Sequence, residues 1–309
     1  SCPGLFFFRL TFPKMPLPSP VSLENGITSN LEAPFNLFLK ESFSGLNGTL
    51  KEAWDHHINS GGSRLRANIS LSVAKEAGLP RETQFLIAAA VEILHQSSLL
   101  LDDIQDRDGF RRGKPSVWNE YGEGVAINLS LFLITKAYGF VSEIKRTETS
   151  LQRNLEEYLS EAINETVLGQ QADLESSSRG WSLERYQEIS GAKSGTLFGL
   201  PFLLVMSLQG ETQTTLEHCK EIASLFGLAY QLMDDYEDQH SDNLKMNGPG
   251  ILKNYHLNHW TQGPLFPGIV EDTLLQTDSL FKKLPNYTQT GNKLFRTHIS
   301  SRIEAYCRS

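Results

Sequence analysis

Hydrophobic residues recur along most of the chain at helical spacing, and clusters of Gly and Pro separate the recurring segments. No useful stretch alternates polar and apolar residues in the manner of a strand. The pattern therefore predicts an all-α fold class. The predicted helices cover Pro34–Ser60 with breaks at Gly45 and Gly48, then Ser63–Ala77, Arg81–Ile104, Gly124–Lys145, Ser150–Glu175, Leu183–Gly191, Ser194–Leu208, Thr214–Gln239, Ile269–Lys283 and Thr288–Tyr306.

No fixed repeat and no long polar linker divides the chain, which predicts one domain over residues 21–309. The segment Arg81–Ile104 is apolar on most faces, so we expect it at the centre of the bundle. Residues 1–20 contain a short apolar stretch with no basic residue before it, which makes a poor signal peptide. We expect them to be a disordered or vector-derived tail, with Met15 as an alternative start.

Composition narrows the class of protein. Hydrophobic residues make up 39% of the 309 positions, which is enough for a large core and excludes a disordered chain. The 28 Lys and Arg residues are outnumbered by 36 Asp and Glu residues, which argues against a nucleic-acid partner. Cys2, Cys219 and Cys307 lack the spacing of a zinc site or a disulfide framework, so we expect free thiols and a cytoplasmic location. Charged or polar residues interrupt every apolar run short of the roughly 20 residues of a membrane helix, so no transmembrane segment is expected.

Two acidic clusters end predicted apolar helices: Asp102, Asp103 and Asp106 in the first, and Asp234, Asp235 and Asp238 in the second. Carboxylates at a helix C-terminus oppose the helix dipole by up to about 1 kcal/mol each. Either cluster alone is explained by a solvated helix end. If the two face each other, however, repulsion requires cations, and Mg²⁺ bridging a polyphosphate satisfies that requirement.

Basic residues stand near the first acidic cluster. Arg111 and Arg112 follow it at loop spacing, and the string Gly61-Gly62-Ser63-Arg64-Leu65-Arg66 precedes a predicted helix. Guanidinium groups bind phosphate oxygens in pairs, which favours a phosphate ligand. The alternative is that these arginines only neutralise the acidic helix end.

Four strings together resemble the trans-isoprenyl diphosphate synthase family, of the geranylgeranyl and farnesyl diphosphate synthase type. They are HQSSLLLDDIQDRDGFRR at residues 95–112, Gly169-Gln170 with Asp173, Lys193-Ser194-Gly195, and the run from Tyr230 to Asp238. The resemblance covers roughly residues 55–305. It implies an isoprenoid synthase-type helical bundle with a central cavity, a homodimer, and Mg²⁺ between the two acidic helices, three ions when diphosphate is bound.

The resemblance also implies a role for individual residues. The metal ligands would be Asp102, Asp103, Asp106, Asp234, Asp235 and Asp238. Arg111, Lys193 and Gln231 would contact the allylic diphosphate, with Ser194 beside the catalytic-site lysine. Arg64, His95 and Arg112 would hold isopentenyl diphosphate. For His95, a buried core histidine is the alternative when the motif is ignored.

Ser97 and Ser98 lie about one helical turn before Asp102, where farnesyl-producing relatives usually carry an aromatic plug. Small residues leave room for a longer chain, and one turn of about 5.4 Å corresponds to about one isoprene unit. This favours a C20 product, geranylgeranyl diphosphate. The alternative is that the two serines only allow close helix packing.

One departure keeps rival functions open. Ser63 stands where the family has a Lys for the acceptor, although Arg66 could compensate. A terpene cyclase or a prenyltransferase for another acceptor would keep the acidic clusters and lose part of the acceptor site. A noncatalytic regulatory subunit of a prenyl synthase is the rival of another class, and the two intact acidic clusters argue against it.

Overall fold

The computed structural model describes residues 29–147, 155–175, 182–242 and 265–308, most of which are helical. The α-helices are α1 Ser29–Ser42, α2 Gly48–Ile58, α3 Leu65–Glu76, α4 Arg81–Gln105, α5 Val117–Tyr121, α6 Glu123–Thr147, α7 Leu155–Leu174, α8 Leu183–Ser190, α9 Thr196–Leu208, α10 Gln213–Asp242, α11 Leu265–Phe281 and α12 Gln289–Arg308. A π-helical turn, Gly191–Gly195, joins α8 to α9, and a 3-10 turn, Asn286–Thr288, precedes α12.

The all-α prediction is confirmed, and most predicted helices match the observed ones to within a few residues. The sequence pattern missed α5 and a small hairpin of β1 (Phe110–Arg111) and β2 (Lys114–Pro115). Each of these elements is too short to show a period. Residues 1–20, predicted to be a tail, lie outside the described residues.

Helix α4 is the central helix. Every residue from Phe85 to Leu94 is buried, because the helix packs against α3, α6 and α9 on different sides. Such burial explains its apolar composition and fixes its position. The first acidic cluster therefore lies at the C-terminal end of a helix that is packed on several sides.

An aromatic cluster connects the C-terminal helices. Phe198, Phe226, Phe281 and Phe295 come from α9, α10, α11 and α12, and each is fully buried. The rings of Phe226 and Phe295 stack with centroids 3.8 Å apart. This packing joins α12 to α10, the helix that carries the second acidic cluster.

Three described segments have the length and apolar composition of membrane-spanning helices: Arg81–Gln105, Glu123–Ile144 and Glu184–Leu208. The expectation that no segment reaches these two criteria is therefore corrected. The apolar windows of the first and third are 78% and 83% buried inside the protein, so core packing accounts for their composition. The window in α6 is only 39% buried, and Ile127 and Leu131 are exposed on it.

Candidate active site

One cavity of about 620 Å³ opens between α4, α7, α8, α10 and the hairpin. Carboxylates from both acidic clusters line it: Asp102 and Asp106 from α4, and Asp234 and Asp235 from α10. Its basic lining residues are Arg66, His95, Arg111, Arg112 and Lys193. The cavity therefore places both acidic clusters around a common space that also holds several cations.

The end of α4 orients the first acidic cluster. The chain leaves the helix through Arg107, which has a left-handed φ of 58°. The amide of Asp108 donates to the carbonyl of Asp103 at 2.9 Å, and the amide of Arg107 donates to Ile104 at 3.3 Å. This is a Schellman ending with Arg in the position that usually holds Gly. It closes the helix so that Asp102 and Asp106 face the cavity.

Asp103 has a different environment from its two neighbours. Its side chain is almost fully buried, and Arg111 Nε donates to Oδ1 and Oδ2 at 2.8 and 2.9 Å. Burial raises the pKa of Asp103 although Arg111 opposes that shift. Asp103 does not line the cavity, so the structure corrects its expected place as a metal ligand: its oxygens position Arg111.

The hairpin turn places the two neighbouring arginines. Arg111 pairs with Lys114 across β1 and β2, so the loop consists of Arg112 and Gly113 alone. Both have a positive φ, 52° and 78°, as a two-residue hairpin turn requires. The left-handed backbone directs Arg112 onto the loop at Gly61, whose carbonyl it donates to. Gly62, beside the Arg112 guanidinium, has a φ of 119°, a backbone conformation that favours glycine.

Two hydrogen bonds hold Asp235 of the second acidic cluster, one from α8 and one from its own helix, α10. Gln231 Nε2 donates to Asp235 Oδ1 at 2.8 Å, and the Tyr186 hydroxyl donates to Asp235 Oδ2. Ser194 Oγ donates to Gln231 Oε1 at 3.2 Å. Burial raises the pKa of Asp235 to about 7, against the two hydrogen bonds that favour its ionised form.

The π-helical turn places Lys193 between the acidic helices. Its ammonium donates to Asp173 Oδ2 at 2.6 Å. Burial disfavours the charge, but the carboxylates of Asp173, Asp102 and Asp106 outweigh burial and raise the pKa of Lys193. Lys193 is therefore a fixed cation next to the first cluster, and π-helical turns often occur at such functional sites.

The opposite side of the cavity contains Arg66 rather than Arg64. The Arg66 guanidinium lies 3.8 Å above the Phe198 ring and 5.3 Å from the Tyr230 ring, and its Nη1 is 3.3 Å from His95 Nε2. Burial, followed by the charge of Arg66, holds the pKa of His95 well below its usual value. His95 is therefore neutral beside the arginine.

A family model described as polyprenyl synthetase matches residues 47–251, a range that contains both acidic clusters and Lys193. The chain belongs to the polyprenyl synthetase family. This confirms the resemblance found in the sequence.

Two relatives and one solved structure show how far the likeness extends. The chain is 32% identical over 200 residues to a short chain isoprenyl diphosphate synthase of Methanocaldococcus jannaschii, covering 65% of this chain and 61% of that protein. It is 30% identical over 206 residues to a farnesyl diphosphate synthase of Geobacillus stearothermophilus, covering 65% and 69%. The matched stretch thus spans about two thirds of these relatives. An isoprenoid synthase family member from Thermotoga neapolitana has the same fold, with a TM-score of 0.69 at 23% identity over 87% of this chain and 98% of that one.

Most residues that the sequence assigned to the site do line the cavity. They are Asp102, Asp106, His95, Arg111, Arg112, Lys193, Ser194, Gln231, Asp234 and Asp235. Arg64 is not among them: it is the N-cap that precedes α3, with a left-handed φ of 46°, and its guanidinium donates to the Ile58 carbonyl at 3.4 Å. This corrects the expected place of Arg64, because the residue of this basic segment that reaches the cavity is Arg66. Asp238 lies on α10, and its side chain is outside the described residues.

Ser97 and Ser98 have different surroundings. Ser98 lines the cavity. Ser97 is buried between α4 and α6, where its hydroxyl is 2.7 Å from that of Ser130. Ser97 therefore serves close helix packing, which was the alternative interpretation, and only Ser98 lies on the wall of the cavity.

Sequence reasoning missed several residues of the site. Tyr186 and Tyr230 line the cavity, and Arg302 on α12 donates to Asp234. Tyr230 was visible as the residue before Gln231. Arg302 stands 68 residues after Asp234 with no motif around it, so only the fold brings it there.

The donor groups of the cavity fit Mg²⁺. Among the described side chains, no three His, Cys, Asp or Glu residues form a ready cluster for a metal. Mg²⁺ does not need one, because it commonly takes one or two carboxylates and completes its octahedron with water and phosphate oxygens. Carboxylates on two walls, with fixed cations between them, suit ions that arrive with a diphosphate.

Proposed function

We propose that this protein catalyses the Mg²⁺-dependent condensation of isopentenyl diphosphate with an allylic diphosphate, and that geranylgeranyl diphosphate is its main product. The observation that carries the proposal is the shared cavity: carboxylates from α4 and α10 and several fixed cations surround a space that apolar side chains also line. The polyprenyl synthetase family membership supports the reaction class.

The carboxylates and the cations of the cavity would bind the allylic diphosphate in different ways, the carboxylates through Mg²⁺ and the cations directly. Asp102 and Asp106 on one wall and Asp234 and Asp235 on the other would hold Mg²⁺. When bound, Mg²⁺ would neutralise the charge that develops on the leaving diphosphate. Lys193 contributes a fixed positive charge to the same group, because neighbouring carboxylates keep it protonated.

The apolar walls protect the reaction. Leu99, Leu101, Val167, Leu197 and Leu232 line the cavity beside the charged groups. They exclude water from the allylic cation, which water would otherwise quench. No side chain has to act as a nucleophile, because the double bond of isopentenyl diphosphate attacks the allylic cation and forms the new carbon–carbon bond. The tertiary cation that results would lose a proton from the adjacent carbon to the departed diphosphate, which restores a double bond.

Arg66, His95 and Arg112 would bind the acceptor diphosphate. Arg66 and Arg112 supply two cations, and neutral His95 has a ring nitrogen beside Arg66. Ser63 leaves this side with one cation fewer than the family pattern. The same departure favours the second candidate, a terpene cyclase or a prenyltransferase for another acceptor.

The sequence also predicts a cytoplasmic homodimer. The weakly buried face of α6, with exposed Ile127 and Leu131, supports a subunit interface there.

A product assay tests the proposal. Purified protein with Mg²⁺ and farnesyl diphosphate should yield a C20 diphosphate only when isopentenyl diphosphate is present. Hydrocarbon release without isopentenyl diphosphate would favour the cyclase instead. Inactivity of the purified protein with C5, C10 and C15 starters would favour the regulatory subunit.

A further inference from the structure

The C-terminal helix contributes a cation to the second acidic cluster. Arg302 Nη2, on α12, donates to Asp234 Oδ1 on α10 at 2.6 Å. The guanidinium lies 5.3 Å from the Tyr230 ring, and the Arg302 side chain is 13% exposed. Asp234 and Tyr230 both line the cavity, so Arg302 stands directly behind its wall.

Other cations in the described part of the chain also pair with carboxylates near the cavity. Arg111 covers Asp103, and Lys193 covers Asp173. Those two cations lie within the family motifs and line the cavity themselves. Arg302 differs because it comes from the last helix and covers a residue that the proposed function needs as a metal ligand.

A guanidinium and a divalent cation compete for the same carboxylate. Arg302 binds Oδ1 of Asp234, and Mg²⁺ held by the same carboxylate would lie close enough for the two like charges to repel. A metal ion at Asp234 must therefore displace Arg302 or weaken its hydrogen bond. The face of Tyr230 attracts the displaced guanidinium and keeps it near the cavity.

We propose that Arg302 occupies Asp234 until Mg²⁺ binds there, and that the displaced guanidinium then binds the diphosphate. The guanidinium of Arg302 lies 5.3 Å from the Tyr230 ring, which lines the cavity, so the displaced group stays close to the metal-bound allylic diphosphate. This inference rests on the proposed metal and diphosphate site. It makes Arg302 a positioning residue in the metal-free protein and a substrate contact afterwards.

Calorimetric titration of the metal-stripped full chain tests the exchange. Mg²⁺ is titrated alone, and inorganic pyrophosphate is titrated in saturating Mg²⁺. Arg302→Gln should bind Mg²⁺ alone about threefold more tightly, because its competitor is gone, and pyrophosphate about tenfold more weakly, because a charge-assisted hydrogen bond is lost. Loss of a purely structural residue is not expected to strengthen Mg²⁺ binding and weaken pyrophosphate binding at the same time.

Arg296→Gln is the matched control. Arg296 lies on the same helix, pairs with Asp278, and is outside the cavity lining. Its variant should bind both ligands like the wild type. Arg302→Lys keeps the charge and should leave the affinity for Mg²⁺ alone near the wild-type value. If Arg302→Gln does not melt cooperatively, Arg302→Met replaces it in the test with the same two expected shifts, and wild-type affinities of that variant for both ligands would overturn the inference.

The outcomes separate this inference from the proposed function. If the wild type binds pyrophosphate with Mg²⁺ and Arg302→Gln behaves like Arg296→Gln, the inference is overturned and the proposed function stands. Weaker binding of Mg²⁺ alone by Arg302→Gln also overturns it. If the wild type binds neither Mg²⁺ nor pyrophosphate, the proposed site and the inference both fail.

Discussion

Arg111 donates from Nε to both carboxylate oxygens of Asp103, and its Nη2 lies 2.7 Å from Oδ1. One carboxylate of the first acidic cluster is thereby committed to an arginine, while its neighbours on both sides line the cavity. Three aspartates that look alike in the sequence thus divide into a positioning residue and two candidate metal ligands.

Substitution of Asp103 should lower stability, whereas substitution of Asp102 should lower activity. Asp103→Asn leaves the largely buried Arg111 without its counter-ion and should lower the free energy of unfolding by on the order of 3 kcal/mol. Asp102→Asn should remove prenyl transfer with little change in stability, because it relieves repulsion in an acidic cluster. Urea unfolding and a single-turnover assay on both variants check the division, and equal destabilisation of the two would contradict it.

Chain length should respond to Ser98 and not to Ser97. Ser98→Phe places a ring in the cavity and should shorten the main product by about one isoprene unit, since one helical turn is about 5.4 Å. Ser97→Phe enters the packed α4–α6 interface and should lower stability by about 1–3 kcal/mol. Chromatography of the dephosphorylated products measures the first effect and thermal melting the second. A C20 product from Ser98→Phe would show that Ser98 does not limit the length of the product.

Acceptor binding should depend on Arg66 more than on Arg64. Arg66→Gln removes a guanidinium from the cavity and should raise the KM for isopentenyl diphosphate roughly tenfold or more, the contribution of a charged hydrogen bond. Arg64→Gln, two positions earlier, should change that KM much less. Initial rates with varied isopentenyl diphosphate at saturating farnesyl diphosphate give the KM of each variant. A larger increase in Arg64→Gln than in Arg66→Gln would restore the assignment made from the sequence.

Helix α7 approaches the π-helical turn so closely at Gly169 that a methyl group should not fit there. A Cβ at Gly169 would lie 2.4 Å from the Lys193 backbone nitrogen. Gly169→Ala should therefore displace Lys193, reduce kcat, and lower stability by about 1–3 kcal/mol. Gly124→Ala is the control, because no atom lies within 4 Å of its Cβ position on α6; it should be neutral or slightly stabilising. Matching kcat values for the two variants would argue against this packing constraint.

His57 should make the protein sensitive to acid. Burial, followed by Arg111 and Arg112, lowers the pKa of His57 to about 3 from its usual 6.5. Between these two values the unfolded chain binds a proton that the folded protein does not, so stability falls as pH decreases, by up to about 1.4 kcal/mol per pH unit. In His57→Gln this part of the slope should disappear. Urea unfolding at pH 7.5, 6.0 and 5.0 compares the slopes, and parallel curves would exclude His57 as their source.

Local patterns in the sequence were sufficient for the helices and for the two acidic clusters. Apolar residues at helical spacing located α4 and α10, and the carboxylates that follow these apolar runs stood out in the sequence. The first cluster does end α4, whereas α10 continues past Asp234 and Asp235 to Asp242, so the expected helix end at the second cluster is corrected. The hairpin was not predictable in this way, since two-residue strands carry no period and its turn depends on a left-handed φ at Arg112.

The sequence by itself determined the all-α class, the family, and the residue types around the cavity, because each depends on neighbours a few positions apart. Only the tertiary structure decided that Arg66 rather than Arg64 enters the cavity, that Ser97 packs against Ser130, and that Arg302 reaches Asp234. The physical reason is that a side chain's partner depends on the direction of its backbone and on helices that arrive from distant parts of the chain.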